Sequence, residues 1–168
     1  PTEGFSEADV LYLAASLDQG SEHPLAAAIV SAARVRGITL GTVTQFESNT
    51  GIGVHGEVAG KKLVMGNTTL MEQTGVATAS LQSSAEQLRT QGASVMYLAV
   101  DGQLAGLLAV SDPIKATTAD ALASLRAANI RVIMATGDGL TTAKSVGQRL
   151  GIDEVYGEVK PADKLALV

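Results

Sequence analysis

The spacing of apolar positions predicts helices at the start of the chain. Apolar residues recur at helical intervals over residues 10–17, after a Ser6 and Asp9 pair that is typical of a helix N-terminus. A second helix is predicted over residues 24–36, because proline suits the first helical turn and Gly37 follows as a stop. The short connection between the two predicts a helical hairpin.

From residue 42 the pattern changes to short apolar runs separated by turn residues. Four of these runs are predicted as strands, at 54–58, 61–65, 94–100 and 103–110. Ala59-Gly60 and Asp101-Gly102 each join two of the runs, and Asp-Gly is among the best signals of a two-residue hairpin. With short helices at 68–74 and 81–91, this part predicts an antiparallel sheet with flanking helices, an α+β domain.

After Ser111 predicted helices and strands alternate. The helices are expected at 114–129 and 140–150, and the strands at 131–135 and 154–156. Alternation of this kind is typical of a parallel sheet in an α/β fold. We therefore expect two domains, at 1–110 and 111–168, and an α/β fold class overall.

Composition excludes several classes of protein. The chain has 168 residues, a net charge of −5 and no run of basic residues, which argues against a nucleic-acid partner. It has no cysteine, so it holds neither a disulfide nor a thiolate metal site. No apolar run approaches the roughly 20 residues of a membrane helix, and no signal peptide is visible. We expect a polypeptide that is soluble by itself.

Residues 51–56 spell Gly-Ile-Gly-Val-His-Gly, a match to G-x-G-x-x-G. A dinucleotide site requires a helix after this motif, and here a strand hairpin is predicted instead. A kinase requires H-R-D, and neither His23 nor His55 is followed by Arg-Asp. Two interpretations remain. The glycines are ordinary turn residues, or Gly51 and Gly53 let a flat ligand approach the backbone closely.

His23 and Asp18 are candidates for recognising a purine. The chain has no tryptophan, two phenylalanines and three tyrosines, so His23 is one of few planar partners for an adenine. Stacking on a base contributes roughly 1–3 kcal/mol. Asp18, five residues earlier, would accept a hydrogen bond from the exocyclic amine. The alternatives are a helix cap without a ligand for His23, a solvated surface acid for Asp18 and a plain turn for Gly66-Asn67.

Candidates for handling a phosphate lie in the second part. The predicted strand at 131–135 runs into Thr136-Gly137-Asp138, and ligands bind at the carboxyl ends of parallel strands. Phosphoryl transfer needs a hydroxyl donor, a cation and carboxylates. Thr136, Lys164, Asp112 and Asp138 offer these groups. Taken singly, they are equally consistent with a strand-end hydroxyl, a solvated lysine and a hinge.

In combination these motifs resemble the ATP-binding portion of P-type cation-transporting ATPases, and the heavy-metal (copper and silver) branch in particular. The resemblance rests on ordered motifs, which are Ser-Glu-His-Pro-Leu at 21–25, Gly-x-Gly at 51–53, Gly66-Asn67, Asp112-Pro113-x-Lys115, Thr136-Gly137-Asp138 and Lys160-Pro-x-Asp-Lys164. It implies an antiparallel nucleotide-binding domain, followed by part of a Rossmann-like phosphorylation domain of the haloacid dehalogenase type.

The resemblance also implies roles for individual residues. The adenine and ribose pocket would be lined by Asp18, Glu22, His23, Gly51, Gly53, Gly66 and Asn67. Thr136 and Lys164 would contact the phosphoryl group, whereas Asp112 and Asp138 would order the nucleotide and a hinge. The cofactors implied are ATP and Mg²⁺, with the Mg²⁺ ligands mostly outside this chain and no metal site within it.

The parent protein implied by the resemblance exports Cu⁺ or Ag⁺ across a membrane through an aspartyl-phosphate, with Zn²⁺ or Cd²⁺ as the alternative cargo. This chain would be its cytoplasmic part, and its partners would be the rest of the phosphorylation domain, the actuator domain and the transmembrane domain. The chain contains neither D-K-T-G-T nor G-D-G-x-N-D. We therefore expect a fragment that binds ATP without turnover.

The sequence also raises two other possible functions. A stand-alone phosphatase of the same superfamily needs an Asp-x-Asp nucleophile near its start, and the chain has none. A non-catalytic interaction domain, in which the glycines and His23 are purely structural, remains open at this stage.

Overall fold

The computed structural model describes residues 1–111 and 114–159. Two of the predicted site residues, Asp112 and Lys164, lie outside the described residues, as do Pro113 and the rest of the Lys160–Lys164 motif. The chain divides into two compact units. One contains Pro1–Ala85 and Val95–Val110, and the other contains Glu86–Ser94 and the described residues from Ser111 onward.

The first part of the chain forms a five-stranded sheet with helices. The elements in order are α1 (Glu7–Asp18), α2 (Pro24–Val35), β1 (Val43–Asn49), β2 (Gly53–Val58), β3 (Lys61–Gly66), α3 (Thr68–Gln73), α4 (Ala79–Thr90), β4 (Ser94–Val100) and β5 (Gln103–Val110). Strand order follows chain order, and the pairs β1/β2, β2/β3 and β3/β4 are antiparallel. The expected fold class is confirmed.

Local sequence explains where α1 begins. The Ser6 hydroxyl accepts a hydrogen bond from the Asp9 N–H at 3.1 Å, and the Asp9 carboxylate accepts from the Ser6 N–H at 2.9 Å. This reciprocal capping box satisfies two donors at the helix start. It also lowers the pKa of Asp9, because the hydrogen bonds from Ser6 favour the ionised form.

The core of the first unit lies between the helical hairpin and the sheet. Apolar residues at helical spacing on α1 pack with one apolar stripe of α2 and with alternate positions of the strands. Leu17, Val58 and Leu98 have no measurable exposure there, and Leu63 is 1% exposed. This packing holds the C-terminal end of α1 against the sheet, which matters for the site below.

The second unit contains α5 (Thr118–Ala127), β6 (Ile133–Ala135), α6 (Leu140–Leu150) and β7 (Glu154–Tyr156). Strands β6 and β7 pair in parallel, as alternation predicts. Two hydroxyls on α6 donate hydrogen bonds to the chain at and just after the end of α4. Thr142 donates to the Ala93 carbonyl at 2.9 Å, and Ser145 donates to the Thr90 carbonyl at 2.6 Å. The bond to Thr90 satisfies a carbonyl that the end of α4 leaves without a helical partner.

Some predicted bounds were wrong by a few residues. Helix α4 begins at Ala79 and not at residue 81, and α5 begins at Thr118 and not at residue 114. Strand β6 begins at Ile133 and not at residue 131. The Arg131 side chain there forms an ion pair with Glu154, so that residue contributes through its side chain. Within 1–111 and 114–159, no helix has the length and apolar character needed to cross a membrane.

Candidate functional site

His23 begins α2 as its N-cap. Its Nδ1 accepts a hydrogen bond from the Leu25 N–H at 3.2 Å, and its own N–H donates to the Ser21 hydroxyl at 3.2 Å. The residue is exposed, as is its neighbour Glu22. The cap uses one ring nitrogen, and the residue remains exposed. The capping role predicted from sequence is therefore real, and it is compatible with a stacked ligand.

Asp18 is not the solvated surface acid that the alternative interpretation expected. It is the last residue of α1 and only 4% exposed, because the end of α1 is packed against the sheet. Burial disfavours the charged form and raises the pKa of the carboxyl to about 7. A buried acid with a displaced pKa is a feature typical of functional sites.

Gly53 and Gly66 lie opposite each other on β2 and β3. A Cβ at Gly53 would come within 2.2 Å of the Met65 carbonyl oxygen, and one at Gly66 within 2.1 Å of the Ile52 carbonyl oxygen. These glycines therefore let two backbones meet, a structural requirement that exists without any ligand. Gly51 differs, because its φ is +81° and a Cβ there would meet open space.

Asn67 connects the glycine turn to α3. Its side-chain oxygen accepts from the Leu70 N–H at 3.0 Å as the N-cap, and its amide donates to the Gly51 carbonyl at 3.3 Å. The Asn67 N–H also donates to the Ile52 carbonyl at 2.9 Å. Asn67 thus holds the backbone of the turn in place and is more than the plain turn residue of the alternative interpretation.

The fold carries the end of α1 onto the same hairpin that bears the glycine turn. A Cβ at Gly56 of β2 would lie 3.0 Å from Leu17, and one at Gly20 would lie 2.9 Å from the Phe46 ring of β1. No hydrogen bond between described residues joins Asp18 or His23 to Gly51 or Asn67. The contacts of Leu17 and Gly20 bring the end of α1 next to β2 and β1, the strands that flank Gly51.

A cavity of about 240 Å³ lies elsewhere in this unit, at the start of α1. Phe5, Asp9, Tyr12 and Lys61 are among its lining residues, and none of the predicted site residues is. This cavity is therefore separate from the candidate nucleotide site.

In the second unit Thr136 and Asp138 form a closed hydrogen-bond pair. The Thr136 hydroxyl donates to the Asp138 carboxylate at 2.8 Å and accepts from the Asp138 N–H at 3.1 Å. The other carboxylate oxygen of Asp138 accepts from the Ser94 hydroxyl at 2.9 Å. Asp138 therefore orients the hydroxyl that was expected to contact a phosphoryl group. Ser94 was missed, because no local pattern announces a partner 44 residues away.

Comparisons with known proteins indicate the family of this chain. A family profile described as "Hydrolase: haloacid dehalogenase-like hydrolase" matches residues 2–168. The chain belongs to the haloacid dehalogenase-like hydrolase family. Within that class, its similarity is to heavy-metal P-type ATPases, and the resemblance predicted from the motifs is confirmed.

Two curated relatives illustrate the similarity. The chain is 45% identical over 162 residues to a silver exporting P-type ATPase of Salmonella typhimurium, covering 96% of the chain and 20% of that protein. It is 46% identical over 167 residues to a copper-exporting P-type ATPase of Legionella pneumophila, covering 99% of the chain and 23% of that protein. The chain thus spans about a fifth of the length of these relatives.

A solved structure has a similar fold. The fold matches a zinc-transporting PIB-type ATPase crystallised in an E2.Pi state with a TM-score of 0.72 and 27% identity. The match covers 100% of this chain and 27% of that one.

Proposed function

We propose that this chain is the ATP-binding, cytoplasmic portion of a P-type ATPase that exports Cu⁺ or Ag⁺, coupled to ATP hydrolysis through an aspartyl-phosphate. The observation that carries the proposal is the identity of 45% and 46% to silver and copper exporters over at least 96% of the chain. Identity to the zinc transporter is 27%, so Zn²⁺ as cargo has less support. The partners are the remaining phosphorylation, actuator and transmembrane domains.

We infer that residues 1–110 provide the nucleotide-binding domain and residues 111–168 part of the phosphorylation domain. In the first, the exposed His23 ring offers a stacking face for adenine, and Asp18 offers a carboxyl for its amine edge. The open space beside Gly51 lets a ligand approach the turn that Asn67 holds. Such a site predicts a dissociation constant of about 0.1–1 mM, or about −4 to −5.5 kcal/mol.

The phosphoryl group of ATP would lie near Thr136, and Lys164 and Asp112 remain predicted contributors outside the described residues. ATP and Mg²⁺ are the cofactors that P-type ATPases use in general. Both carboxylate oxygens of Asp138 already accept hydroxyls. Within the described residues, no three histidines or carboxylates converge on a point where a metal would sit. The hydrogen bonds from Ser94 and Thr136 give Asp138 a positioning role.

The test is an ATP titration of the 168-residue protein followed by amide chemical shifts. We expect shifts to cluster at His23, Gly51 and Gly53. If they scatter, or if ATP causes none, the non-catalytic interaction domain becomes the better description.

Substitution of His23 tests stacking directly. His23→Asn keeps a good N-cap but removes the ring, so the protein should fold normally and lose about 1–2 kcal/mol of ATP binding. His55→Asn is the matched control and should leave the affinity unchanged, since His55 pairs with Glu47 on the strands. Equal affinity of wild type and His23→Asn would reduce His23 to a helix cap.

A further inference from the structure

Asp18 differs from the other buried polar residues of the chain. Ser16 and Thr142 each have a hydrogen-bond partner, at the Gly41 N–H and the Ala93 carbonyl. The Asp18 carboxyl has neither a hydrogen bond nor an ion pair with any described residue, although the residue is only 4% exposed. Among described residues, no side-chain oxygen that is fully shielded from solvent lacks a partner. The Asp18 oxygens therefore retain a small opening to solvent.

The surroundings of this carboxyl oppose a negative charge. Asp18 ends α1, where the partial negative charge of the helix terminus lies. Burial raises the pKa of the group to about 7, because it disfavours the charged form. Near neutral pH, a large share of the free protein thus carries Asp18 as a carboxylic acid, with one O–H donor and one carbonyl acceptor.

Charged groups on the neighbouring described elements do not offset the cost of ionising the buried Asp18 carboxyl. Those on the strands and on α2 are Glu47, His55, Glu57, Lys61, Lys62 and Arg34. Glu47 pairs with His55, and Lys61 lies near Asp9 at the other end of α1. Glu22 and His23 follow α1 in the connection to α2. Within the described part of the chain, none of them forms a hydrogen bond or an ion pair with the Asp18 carboxyl.

We propose that Asp18 recognises adenine as a neutral carboxylic acid, donating its proton to ring nitrogen N1 and accepting a hydrogen bond from the exocyclic amine. This proposal rests on the proposed function and specifies the chemistry of that site. The Watson–Crick edge of adenine presents an acceptor beside a donor, which complements a carboxylic acid. The corresponding edge of guanine presents two donors, which complement an ionised carboxylate. The protonation state of Asp18 therefore selects the base.

The experiment measures binding of adenosine and guanosine, which carry no phosphate that titrates near neutrality. Amide shifts of the 168-residue protein are followed at about pH 6 and about pH 8.5, on either side of the Asp18 pKa of about 7. We expect adenosine affinity to fall at least about fivefold at the higher pH, while guanosine affinity stays level or rises. Adenosine affinity that is independent of pH would overturn the proposal.

Asp18→Asn is the informative variant, because an amide offers a donor and an acceptor at the same positions and does not titrate. It should bind adenosine at both pH values as the wild type does at the lower one. If the variant keeps the fall at high pH, the proposal is wrong.

A second measurement needs no variant. The carbon-13 shift of the Asp18 carboxyl reports its titration, and saturating adenosine should raise the apparent pKa, because the bound form requires the proton. An unchanged or lowered value would overturn the proposal. Failure of the ATP site itself is distinguishable. In that case, neither ATP nor adenosine shifts the amides of His23 and Gly51 at any pH.

Discussion

Gly53→Ala tests whether the paired glycines of β2 and β3 are required by the fold before any ligand binds. Gly53 has a φ of +146°, and a Cβ there would lie 2.2 Å from the Met65 carbonyl oxygen and 2.6 Å from the Cα of Gly66. The backbone conformation costs about 1–3 kcal/mol for a residue with a side chain. The collision adds about 1–3 kcal/mol, because rigid backbone atoms cannot move aside. The expected loss is about 2–6 kcal/mol of unfolding free energy.

Gly60→Ala is the matched control. Gly60 lies in the turn between the same two strands, with a φ of +74° and nothing within 4 Å of a Cβ. Only the backbone cost applies, about 1–2 kcal/mol. Urea unfolding followed by the amides of β2 and β3 compares the variants without depending on the second unit. Equal losses in the two variants would refute the claim that backbone contact makes Gly53 obligatory.

Three further changes probe the site and its supports. Asn67→Asp keeps the α3 cap but lacks the donor to the Gly51 carbonyl, so unfolding free energy should change little while ATP affinity falls. Urea unfolding measures the stability and a calorimetric titration measures the affinity, both against Asn67→Ala, which also loses about 1 kcal/mol of stability. Thr142→Val removes the buried donor to the Ala93 carbonyl and should cost about 1–3 kcal/mol in thermal unfolding. Wild-type unfolding free energy should fall as pH rises from about 4 to about 7, because folded Asp18 holds a proton that the unfolded chain releases. Asp18→Asn should lack this fall. A pH profile identical to that of the wild type would contradict the assignment of the fall to Asp18.

Most of the fold follows from local sequence. The capping box of Ser6 and Asp9, Pro24 at the start of α2 and the Asp101-Gly102 turn are short-range signals, and the elements they predict are observed. Helix α4 began earlier than expected. Its first residues are Ser and Ala, whose composition favours neither helix nor loop, so packing decides.

The site was less predictable, because its properties come from residues distant in sequence. Burial of Asp18 depends on how α1 packs against the sheet, and the residue alone resembles any surface acid. Gly53 lies opposite Gly66 because of the register of β2 and β3, and the spacing of the glycines in the sequence does not reveal that register. Ser94 contacts Asp138 through tertiary folding alone. The assignment of all these residues to nucleotide binding stays a prediction until ligand titrations are made.

The hydrogen bonds from α6 to the Thr90 and Ala93 carbonyls affect where the chain can be truncated. Residues 86–94 group with the later part of the chain, although sequence on both sides of them belongs to the earlier part. A single cut after Val110 would strip these carbonyls of their donors and leave a frayed loop. A minimal nucleotide-binding protein should therefore either retain α6 or carry a redesigned segment at residues 86–94.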